Sequence, residues 1–229
     1  MAPNFAGREA ACGNLGESSG GAFDSSGGSL RVFRKALLRI PNCYIIGFEV
    51  KILNVEIKTD RLVLRPLSID DLDSVHTYAS DNDNTRFMVW LPNNTKEETA
   101  QFLLGVTEEW KKAEPDFYEF AITLNGKQIG AISCALNEQR DECEFGWIIN
   151  KRYWKKGYAT EAAFAVKDFA INKLKVKKLT ANCDYRNADS YKLMEKIGLK
   201  LESDNGMRTY PKTGETVREL MYSLTTDNS

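Results

Sequence analysis

The chain has 229 residues, of which 42% are apolar and 28% are charged, and its 31 Lys and Arg residues almost balance its 32 Asp and Glu residues. This length suits one globular domain with an appendage, and the near-zero net charge gives no general attraction to nucleic acid or to an anionic membrane. No apolar run approaches the roughly 18 residues that cross a bilayer, and no signal-peptide pattern opens the chain, so we expect a soluble cytoplasmic protein.

The cysteines and the single histidine do not form a metal-binding pattern. Five cysteines stand at positions 12, 43, 134, 143 and 183, and no two of them have CxxC spacing. We therefore expect no metal, and the scatter of the cysteines favours free thiols in a reducing compartment. Cys134 and Cys143 could nevertheless lie near each other across a hairpin.

The N-terminal part of the chain differs in composition from the rest. Residues 1–29 are rich in Gly, Ser and Ala, which bury too little surface to fold, and residues 30–57 follow no clear period. We therefore predict an extension over 1–55 and a folded domain over 56–226. Leu53 stands where an initiator would be expected, so the extension could be an over-long gene prediction.

Beyond residue 56 the chain alternates clear strand and helix patterns. Runs rich in β-formers between turn residues predict strands, and capping residues ahead of 3.6-periodic runs predict helices. In chain order they are a strand at 60–67, helices at 68–80 and 95–113, strands at 117–124, 128–136 and 142–150, a helix at 158–172, a strand at 176–184, a helix at 187–198 and two strands that end at Leu224. The segment NGK at 125–127 predicts a hairpin turn. The whole pattern is that of a mixed α/β (α+β) domain.

The stretch WKKGYATEA at 154–162 places a basic, glycine-containing turn directly before the helix at 158–172. The amides at a helix N-terminus carry partial positive charge and bind phosphate, and Gly157 allows a tight turn with close approach to the backbone. Four basic side chains add local charge: Lys151, Arg152, Lys155 and Lys156. Neither GxGxxG nor GxxxxGK[ST] is present, so the stretch by itself fits either a phosphate site or an ordinary basic turn.

The stretch resembles motif A of the GCN5-related N-acetyltransferases, the GNAT superfamily, which has the form [RQ]xxGx[GA]. Trp154 stands in the place of Arg or Gln, as is usual in the branch of ribosomal-protein-alanine N-acetyltransferases (RimJ/RimL-like). Further similarities to that branch are TDRLVLRP at 59–66, WLPNNTKEET at 90–99 and RNADSYKLMEKIGL at 186–199. The resemblance covers about residues 56–225.

This resemblance implies the GNAT acyl-CoA N-acyltransferase fold, with a largely antiparallel sheet of about seven strands and about four flanking helices. It also implies acetyl-CoA as cosubstrate and transfer of its acetyl group to a primary amine. In the family, the loop amides hold the CoA pyrophosphate, a splayed strand end binds pantetheine and the thioester carbonyl, and an asparagine contacts the CoA arm. The matching positions are Lys155, Lys156, Gly157, Tyr158, Ala159 and Thr160 for the loop, Trp147, Ile148 and Ile149 for the strand end, and Asn187 for the arm.

Acetyl transfer needs a base, because an ammonium group cannot attack a thioester until it loses a proton. Alternation along the strand at 142–150 places Glu144 on the opposite face from Phe145, and Glu144 is the candidate base. Glu119 on the neighbouring strand is a second candidate, and a water chain is a third possibility. The ordinary alternative for Glu144 is a solvent-facing strand carboxylate.

The departing thiolate benefits from a proton donor. The resemblance places Ser190 near the thioester sulfur in this role, ahead of the adjacent Tyr191, which one helical step turns away from the direction of Ser190. Both Asn187 and Ser190 also suit the first turn of a helix, so simple capping is the alternative for them.

The sequence leaves the acceptor amine open. The resemblance favours the α-amino group of a protein N-terminus, and the alternatives are a small amine such as a polyamine or aminoglycoside, or a non-catalytic CoA-binding module. Met88, Trp90 and Leu91 are candidates for the acceptor pocket, although aromatic residues are more often core. His76 has no assigned catalytic role, and we expect a monomer or a homodimer.

Overall fold

The structure, a computed structural model, describes residues 55–226, so the predicted extension over 1–55 lies almost entirely outside the described residues. Within them, eight strands form one sheet that is accompanied by five α-helices. The strands are β1 (Ile57–Lys58), β2 (Leu62–Pro66), β3 (Phe117–Leu124), β4 (Lys127–Leu136), β5 (Glu142–Ile149), β6 (Lys178–Asp184), β7 (Lys200–Thr209) and β8 (Thr216–Thr225). The helices are α1 (Leu72–Ala79), α2 (Asn82–Thr85), α3 (Lys96–Glu109), α4 (Tyr158–Asn172) and α5 (Ala188–Lys196). This architecture confirms the predicted mixed α/β fold.

The helix cap and the hairpin turn that the sequence predicts are present in the structure. The Thr95 hydroxyl accepts a hydrogen bond from the Glu98 amide (3.2 Å) and thereby caps α3. The Glu98 carboxylate bonds the Asn94 amide (2.9 Å), so the capping box closes one residue earlier than its standard form. The predicted hairpin turn forms at Asn125 and Gly126, whose φ angles of 50° and 77° suit the left-handed turn between twisted strands.

Three short elements were not predicted: β1, α2 and a 3-10 turn at Lys151–Tyr153. Each has at most four residues, too few for either hydrophobic period to become visible. Helix α2 is stabilised at its start by Asp81, whose carboxylate accepts a hydrogen bond from the Asn84 amide (2.9 Å).

The sheet has the strand order β1-β2-β3-β4-β5-β6-β8-β7, and β5 and β6 are its parallel pair while the other pairs are antiparallel. The ladder between β5 and β6 joins Glu142–Phe145 to Lys178–Ala181 and then stops. Beyond it, β5 continues to Ile149 and β6 continues to Asp184 without pairing with each other. The two strand ends therefore diverge, and we call this opening the fork.

The two faces of the sheet carry different side chains. Glu119, Ser133 and Gly146 lie opposite one another on β3, β4 and β5, and strand alternation adds Glu144 to the same side. The register places Asn182 on that side too, since Glu144 lies opposite Thr180, two residues before Asn182. We call this side the front face.

The other face of the sheet carries a cluster of aromatic side chains. Tyr118 and Phe120 on β3 meet Phe169 of α4 edge to face, with ring centroids 5.5 Å apart in both pairs. Trp110, at the end of α3, adds edge contacts to Tyr118 and Phe120 and is 1% exposed. The longest described helix has 15 residues, and none of those in residues 55–226 is long and apolar enough to cross a membrane.

The expectation of free thiols is wrong for one pair of cysteines. Cys134 on β4 and Cys143 on β5 are joined by a disulfide, with their Cα atoms 5.7 Å apart. The register explains the contact: Cys134 lies opposite Phe145 and Cys143 lies opposite Leu136, so the two cysteines are diagonal neighbours on one face. Cys183 is a free, buried thiol, and positions 12 and 43 lie outside the described residues.

Candidate active site

The fork brings the predicted strand-end residues to the surface of an opening in the sheet. Trp147, Ile148 and Ile149 all follow the last residue of β5 that pairs with β6. On its other side β5 remains paired with β4 as far as Ile149. The β6-facing edge of this segment is consequently unpaired with β6 and accessible to a ligand between the two strands, except at the Ile149 carbonyl oxygen, which bonds Trp154 and Asn84.

The loop after β5 forms a cradle of backbone amides. Lys155 and Gly157 have φ angles of 60° and 80°, and Gly157 is the N-cap of α4. This left-handed conformation suits glycine and turns the chain sharply into the helix. Within residues 55–226, no amide from Lys155 to Thr160 donates a hydrogen bond to another described group. These amides and the positive end of the α4 dipole form a site that fits a phosphate or pyrophosphate.

The lysine side chains of the loop do not all point at this cradle. Lys155 forms an ion pair with Asp189 in the first turn of α5, and both side chains are well exposed. The Lys156 ammonium reaches the Arg152 carbonyl oxygen (3.4 Å) and lies 5.6 Å from the centre of the Tyr153 ring. The backbone amides are thus the main phosphate ligands that this loop offers.

Arg61 and Glu161 form a hydrogen-bonded group that contacts the backbone of the cradle. The Arg61 guanidinium donates to Glu161 Oε2 through Nε (2.6 Å) and to the Lys156 carbonyl oxygen through Nη1 (3.0 Å). Glu161 Oε1 also accepts from the Thr59 hydroxyl (2.6 Å) and from the Arg61 amide (2.9 Å). Burial would raise the pKa of Glu161, but the hydrogen bonds from Thr59 and Arg61 lower it below its ordinary value. We call this group the rear brace.

Trp154 anchors the other end of the loop. Its indole Nε1 donates to the Ile149 carbonyl oxygen (2.7 Å), which also accepts from Asn84 Nδ2 (3.1 Å). Asn84 Oδ1 in turn accepts from the Lys151 amide (2.6 Å), so α2 fixes the chain where it leaves β5. The tryptophan that the sequence marks as typical of one branch therefore has a structural role in shaping the loop.

A buried polar cluster fixes the turn from β6 into α5. Asp184 is fully buried and accepts hydrogen bonds from the Arg186 guanidinium (2.7 Å) and from the Tyr210 hydroxyl (2.8 Å). Arg186 also pairs with Glu215 on the segment before β8 (2.8 Å). Burial tends to raise the pKa of Asp184, but the bonds from Arg186 and Tyr210 lower it below the ordinary aspartate value. The cluster sets the direction of α5 and of its first residues.

Asn187 and Ser190 occupy the first turn of α5, as predicted. Asn187 is the N-cap, and its Oδ1 accepts a weak hydrogen bond from the Ser190 amide (3.3 Å). Ser190 is 9% exposed, and its side chain interacts with the thiol of Cys183, whose pKa is raised by burial to about 11. Ser190 thus lies beside the end of β6, at the mouth of the fork, whereas Tyr191 is half-buried.

The two candidate carboxylates both lie on the front face, in different surroundings. Glu144 Oε1 accepts a hydrogen bond from Asn182 Nδ2 (3.0 Å), which links β5 to β6 where the fork opens. Glu119, two strands away, is 8% exposed. Desolvation raises the pKa of Glu119 to about 8.

The segment before α3 and the β7–β8 hairpin meet on the front face. Arg208 donates to the Phe87 carbonyl oxygen (3.4 Å) and pairs with Glu219 (2.7 Å), which lies opposite Asp184, the last residue of β6. Of the predicted pocket residues, Trp90 is 44% exposed, while Met88 and Leu91 are half-buried. Trp90 therefore offers an accessible aromatic side chain in the segment before α3.

No group of three or more His, Cys, Asp or Glu residues within 55–226 could hold a metal ion. His76 on α1 forms a hydrogen bond with Thr99 on α3, in which the His76 Nδ1 lies 2.9 Å from the Thr99 hydroxyl oxygen. The functional groups that the sequence reading missed are the rear brace and the Asp184 cluster. Arg61 and Arg186 lie in segments that resemble the branch, but Glu161, Tyr210 and Glu215, with which they form these groups, are distant in the sequence.

Comparison with known proteins identifies the domain. The acetyltransferase (GNAT) domain profile matches residues 61–200. An uncharacterized N-acetyltransferase, YnaD, from Bacillus subtilis is 28% identical over 173 residues, which cover 74% of this chain and 96% of YnaD. The spermidine N(1)-acetyltransferase of Escherichia coli K12 is 28% identical over 144 residues, which cover 62% of this chain and 74% of that enzyme.

Solved structures of acetyltransferases are also similar to this chain. The crystal structure of a GNAT-family acetyltransferase from Bacillus anthracis superposes with a TM-score of 0.65 at 29% identity and covers 75% of this chain and 98% of its own. RimL, a ribosomal L7/L12 α-N-protein acetyltransferase solved with coenzyme A, has a TM-score of 0.67 at 16% identity and covers 76% of this chain and all of its own. The fork, the amide cradle, the profile match and these relatives lead to one conclusion: the chain belongs to the GNAT family and is an acetyl-CoA-dependent N-acetyltransferase.

Proposed function

We propose that the protein acetylates the α-amino group of a protein or peptide N-terminus. The observation that carries this proposal is the set of segments that resemble the RimJ/RimL-like branch. Several residues of these segments make specific contacts in the site. Trp154 binds the carbonyl oxygen of Ile149, Arg61 braces the phosphate loop, and Asn187 caps the helix that carries Ser190. The contacts that these residues make favour the branch that the segments indicate over other GNAT enzymes.

In this proposal the chain binds acetyl-CoA through the cradle and the fork. The amides from Lys155 to Thr160 bind the pyrophosphate, and Asn187 contacts the CoA arm. The backbone of Trp147–Ile149 binds pantetheine and polarises the thioester carbonyl, where a fixed N–H donor stabilises the negative charge that develops on oxygen. Acetyl-CoA itself supplies the activated acyl group, so the chain needs only to orient it and to manage protons.

In this proposal, residues of the front face and of α5 carry out the proton transfers. A carboxylate, Glu144 or Glu119, accepts a proton from the acceptor ammonium, and the free amine then attacks the thioester carbonyl. As the new N–C bond forms and the C–S bond breaks, the Ser190 hydroxyl delivers a proton to the departing sulfur. The products are an amide and free CoA thiol, with one proton released to solvent.

A small amine is the second candidate acceptor, and one observation favours it. The Escherichia coli spermidine N(1)-acetyltransferase shares 28% identity with this chain over 144 residues. Its substrate is a polycation, in contrast to the singly charged N-terminus of a peptide. The two candidates can therefore be separated by direct competition between acceptors.

The test is an acceptor screen with the full chain and acetyl-CoA. Peptides that begin with Ala or Ser, spermidine and an aminoglycoside are compared by release of CoA thiol and by the mass gain of one acetyl group. We expect the Ala- or Ser-initiated peptides to react fastest and the same peptides with a blocked N-terminus to be inert. Faster turnover of spermidine than of the peptides would indicate that the acceptor is a polyamine. Tight CoA binding without turnover of any acceptor would indicate a non-catalytic module.

A further inference from the structure

The front face contains a row of residues that leads from a buried carboxylate to the fork. Glu119 on β3 lies opposite Ser133 on β4, and Ser133 lies opposite Gly146 on β5. Gly146 directly follows Phe145, the last residue of β5 that pairs with β6. Glu119 is therefore level with the opening of the fork and two strand spacings from it, about 10 Å between backbones.

The residues between Glu119 and the fork are small. The Ser133 hydroxyl bonds the Gly146 carbonyl oxygen (3.3 Å), and a Cβ atom at Gly146 would lie only 2.8 Å from that hydroxyl oxygen. Any larger side chain at Gly146 would have to displace Ser133. The two positions between Glu119 and the opening of the fork therefore carry only a hydroxymethyl side chain and a glycine.

Glu119 has no counter-charge among the described residues, although cations are nearby. Arg65 on β2 lies opposite Ala121 and so shares the front face with Glu119, but both of its terminal nitrogens bond the Asp71 carboxylate (2.6 and 2.8 Å). No described group donates a hydrogen bond to the Glu119 carboxylate or pairs with it. The nearby titratable group of α1 is Tyr78, whose pKa is raised mainly by burial and further by Glu119.

The other acidic groups around this face are occupied. Glu144 on β5 accepts the hydrogen bond from Asn182, and Glu109 at the end of α3 pairs with Lys112 (2.5 Å) and accepts from the Asp116 amide (2.7 Å). Burial of an unpaired carboxylate destabilises a fold, and Gln or Leu would serve packing better. A glutamate at position 119 therefore requires a reason other than stability.

We infer that Glu119 is the catalytic base that accepts the proton from the acceptor ammonium, directly or through one water, while Glu144 positions Asn182 at the fork. This inference rests on the proposed function. The ammonium enters the row over Ser133 and Gly146 and gives one proton to Glu119, and the amine forms the N–C bond to the thioester carbonyl. The second proton leaves nitrogen as the C–S bond breaks and passes to the sulfur through Ser190, and Glu119 returns its proton to solvent.

The surroundings of Glu119 match this task. Burial raises its pKa to about 8, and an α-amino group has an ordinary pKa of about 8, so proton transfer between them is nearly balanced. A lysine-like amine, with a pKa of about 10.4, would give up its proton less readily to the same base. The base therefore suits the acceptor class already proposed.

The experiment compares Glu119→Gln with the matched control Glu144→Gln, which keeps an oxygen for Asn182. The ratio of wild-type to variant kcat/KM is measured from pH 6 to pH 10 with the best acceptor of the screen. For Glu119→Gln we expect a loss of roughly 100-fold at pH 7 that narrows above pH 9, where the acceptor is already a free amine. For Glu144→Gln we expect a loss that does not vary with pH.

Two further measurements separate chemistry from folding. The Kd for acetyl-CoA should stay unchanged in Glu119→Gln, and Glu119→Asp, which withdraws the carboxylate by one methylene, should show a smaller loss of the same pH dependence. Folding raises the pKa of Glu119. The contribution of the protonated side chain to the stability of the fold is therefore fully present below about pH 4.3 and is lost as the pH rises through about 8. The Tm gain of Glu119→Gln over wild type should therefore be larger at pH 9 than at pH 5.

The outcomes are distinct. A pH-independent rate ratio for Glu119→Gln, or a pH-dependent loss in Glu144→Gln alone, overturns the inference and assigns the base elsewhere. Failure of the wild-type chain to acetylate any acceptor contradicts the proposed function instead, and it does so before either variant is measured.

Discussion

At the scale of single residues, Gly157 decides whether the phosphate cradle can form. Its φ of 80° lies in the left-handed region, where a Cβ atom costs roughly 1–2 kcal/mol. A Cβ placed there would also touch the Arg61 guanidinium at 3.4 Å. The left-handed backbone of the turn is therefore the main reason for glycine at this position.

We predict that Gly157→Val weakens acetyl-CoA binding by about tenfold or more, since backbone strain and crowding of the pyrophosphate together exceed about 1.4 kcal/mol. The Kd measured by calorimetry with CoA tests this. Gly198→Val is the matched control, because Gly198 also has a positive φ (96°) and its added Cβ would meet nothing within 4 Å. Equal affinity of both variants and wild type would remove the cradle from the CoA site.

At the scale of secondary-structure elements, the rear brace ties the start of β2 to the first turn of α4. Arg61 is about half exposed, and Glu161 is 17% exposed. Exposed ion pairs alone contribute little, but here two guanidinium nitrogens of Arg61, the Arg61 backbone amide and the Thr59 hydroxyl all bond one carboxylate. The brace lies next to the cradle amides, so its effect should be on cofactor affinity.

We predict that Arg61→Ala raises the KM for acetyl-CoA roughly five- to tenfold and leaves kcat within about twofold, because it removes support that acts equally on bound substrate and transition state. Arg61→Lys should recover only part of the affinity, since lysine cannot reach Glu161 and the Lys156 carbonyl oxygen together. Steady-state kinetics at saturating acceptor measures both constants.

The control for the brace is Lys111→Ala, which breaks an exposed ion pair with Glu108 on α3. It should change neither constant. A double-mutant cycle of Arg61→Ala with Glu161→Gln should show positive coupling in acetyl-CoA affinity. Additive effects would mean that the two residues act separately and that the brace does not support the loop.

At the scale of the whole molecule, the domain boundary remains a prediction. The described fold begins with β1 at Ile57, and the GNAT profile match begins at residue 61. A strand at the edge of the sheet is a natural start for a domain, because few contacts are lost when the chain before it is removed.

We predict that a chain beginning at residue 53 keeps the Tm and the kcat/KM of the full chain. Thermal unfolding and the acetylation assay measure this, and the control is a chain beginning at residue 62, which lacks β1, Thr59 and Arg61. The shorter chain should bind acetyl-CoA more weakly, because the rear brace is gone. Loss of stability or activity already in the chain from residue 53 would contradict the predicted boundary.

Much of the fold could be predicted from the sequence because its signals are local. The hydrophobic periods of β3, β4, β5 and α4, the cap at Thr95 and the hairpin at Asn125 each depend on residues within one turn or one strand. Short elements such as β1 and α2 could not be predicted, since two to four residues show no period. The pair Cys134 and Cys143 could be named from the sequence, but free thiols were expected because the disulfide depends on the register of β4 and β5.

The sequence by itself determined the family, the amide cradle at Gly157 and the entry of α5 at Asn187, because each is a short motif whose geometry follows from nearby residues. Only the tertiary structure decided which carboxylate is buried without a partner. Glu119 and Glu144 look alike in their strands, but desolvation and counter-charge depend on the neighbouring strands and on α1. The same holds for Arg61 and Glu161, which are 100 residues apart in the chain and meet only when β2 and α4 pack together.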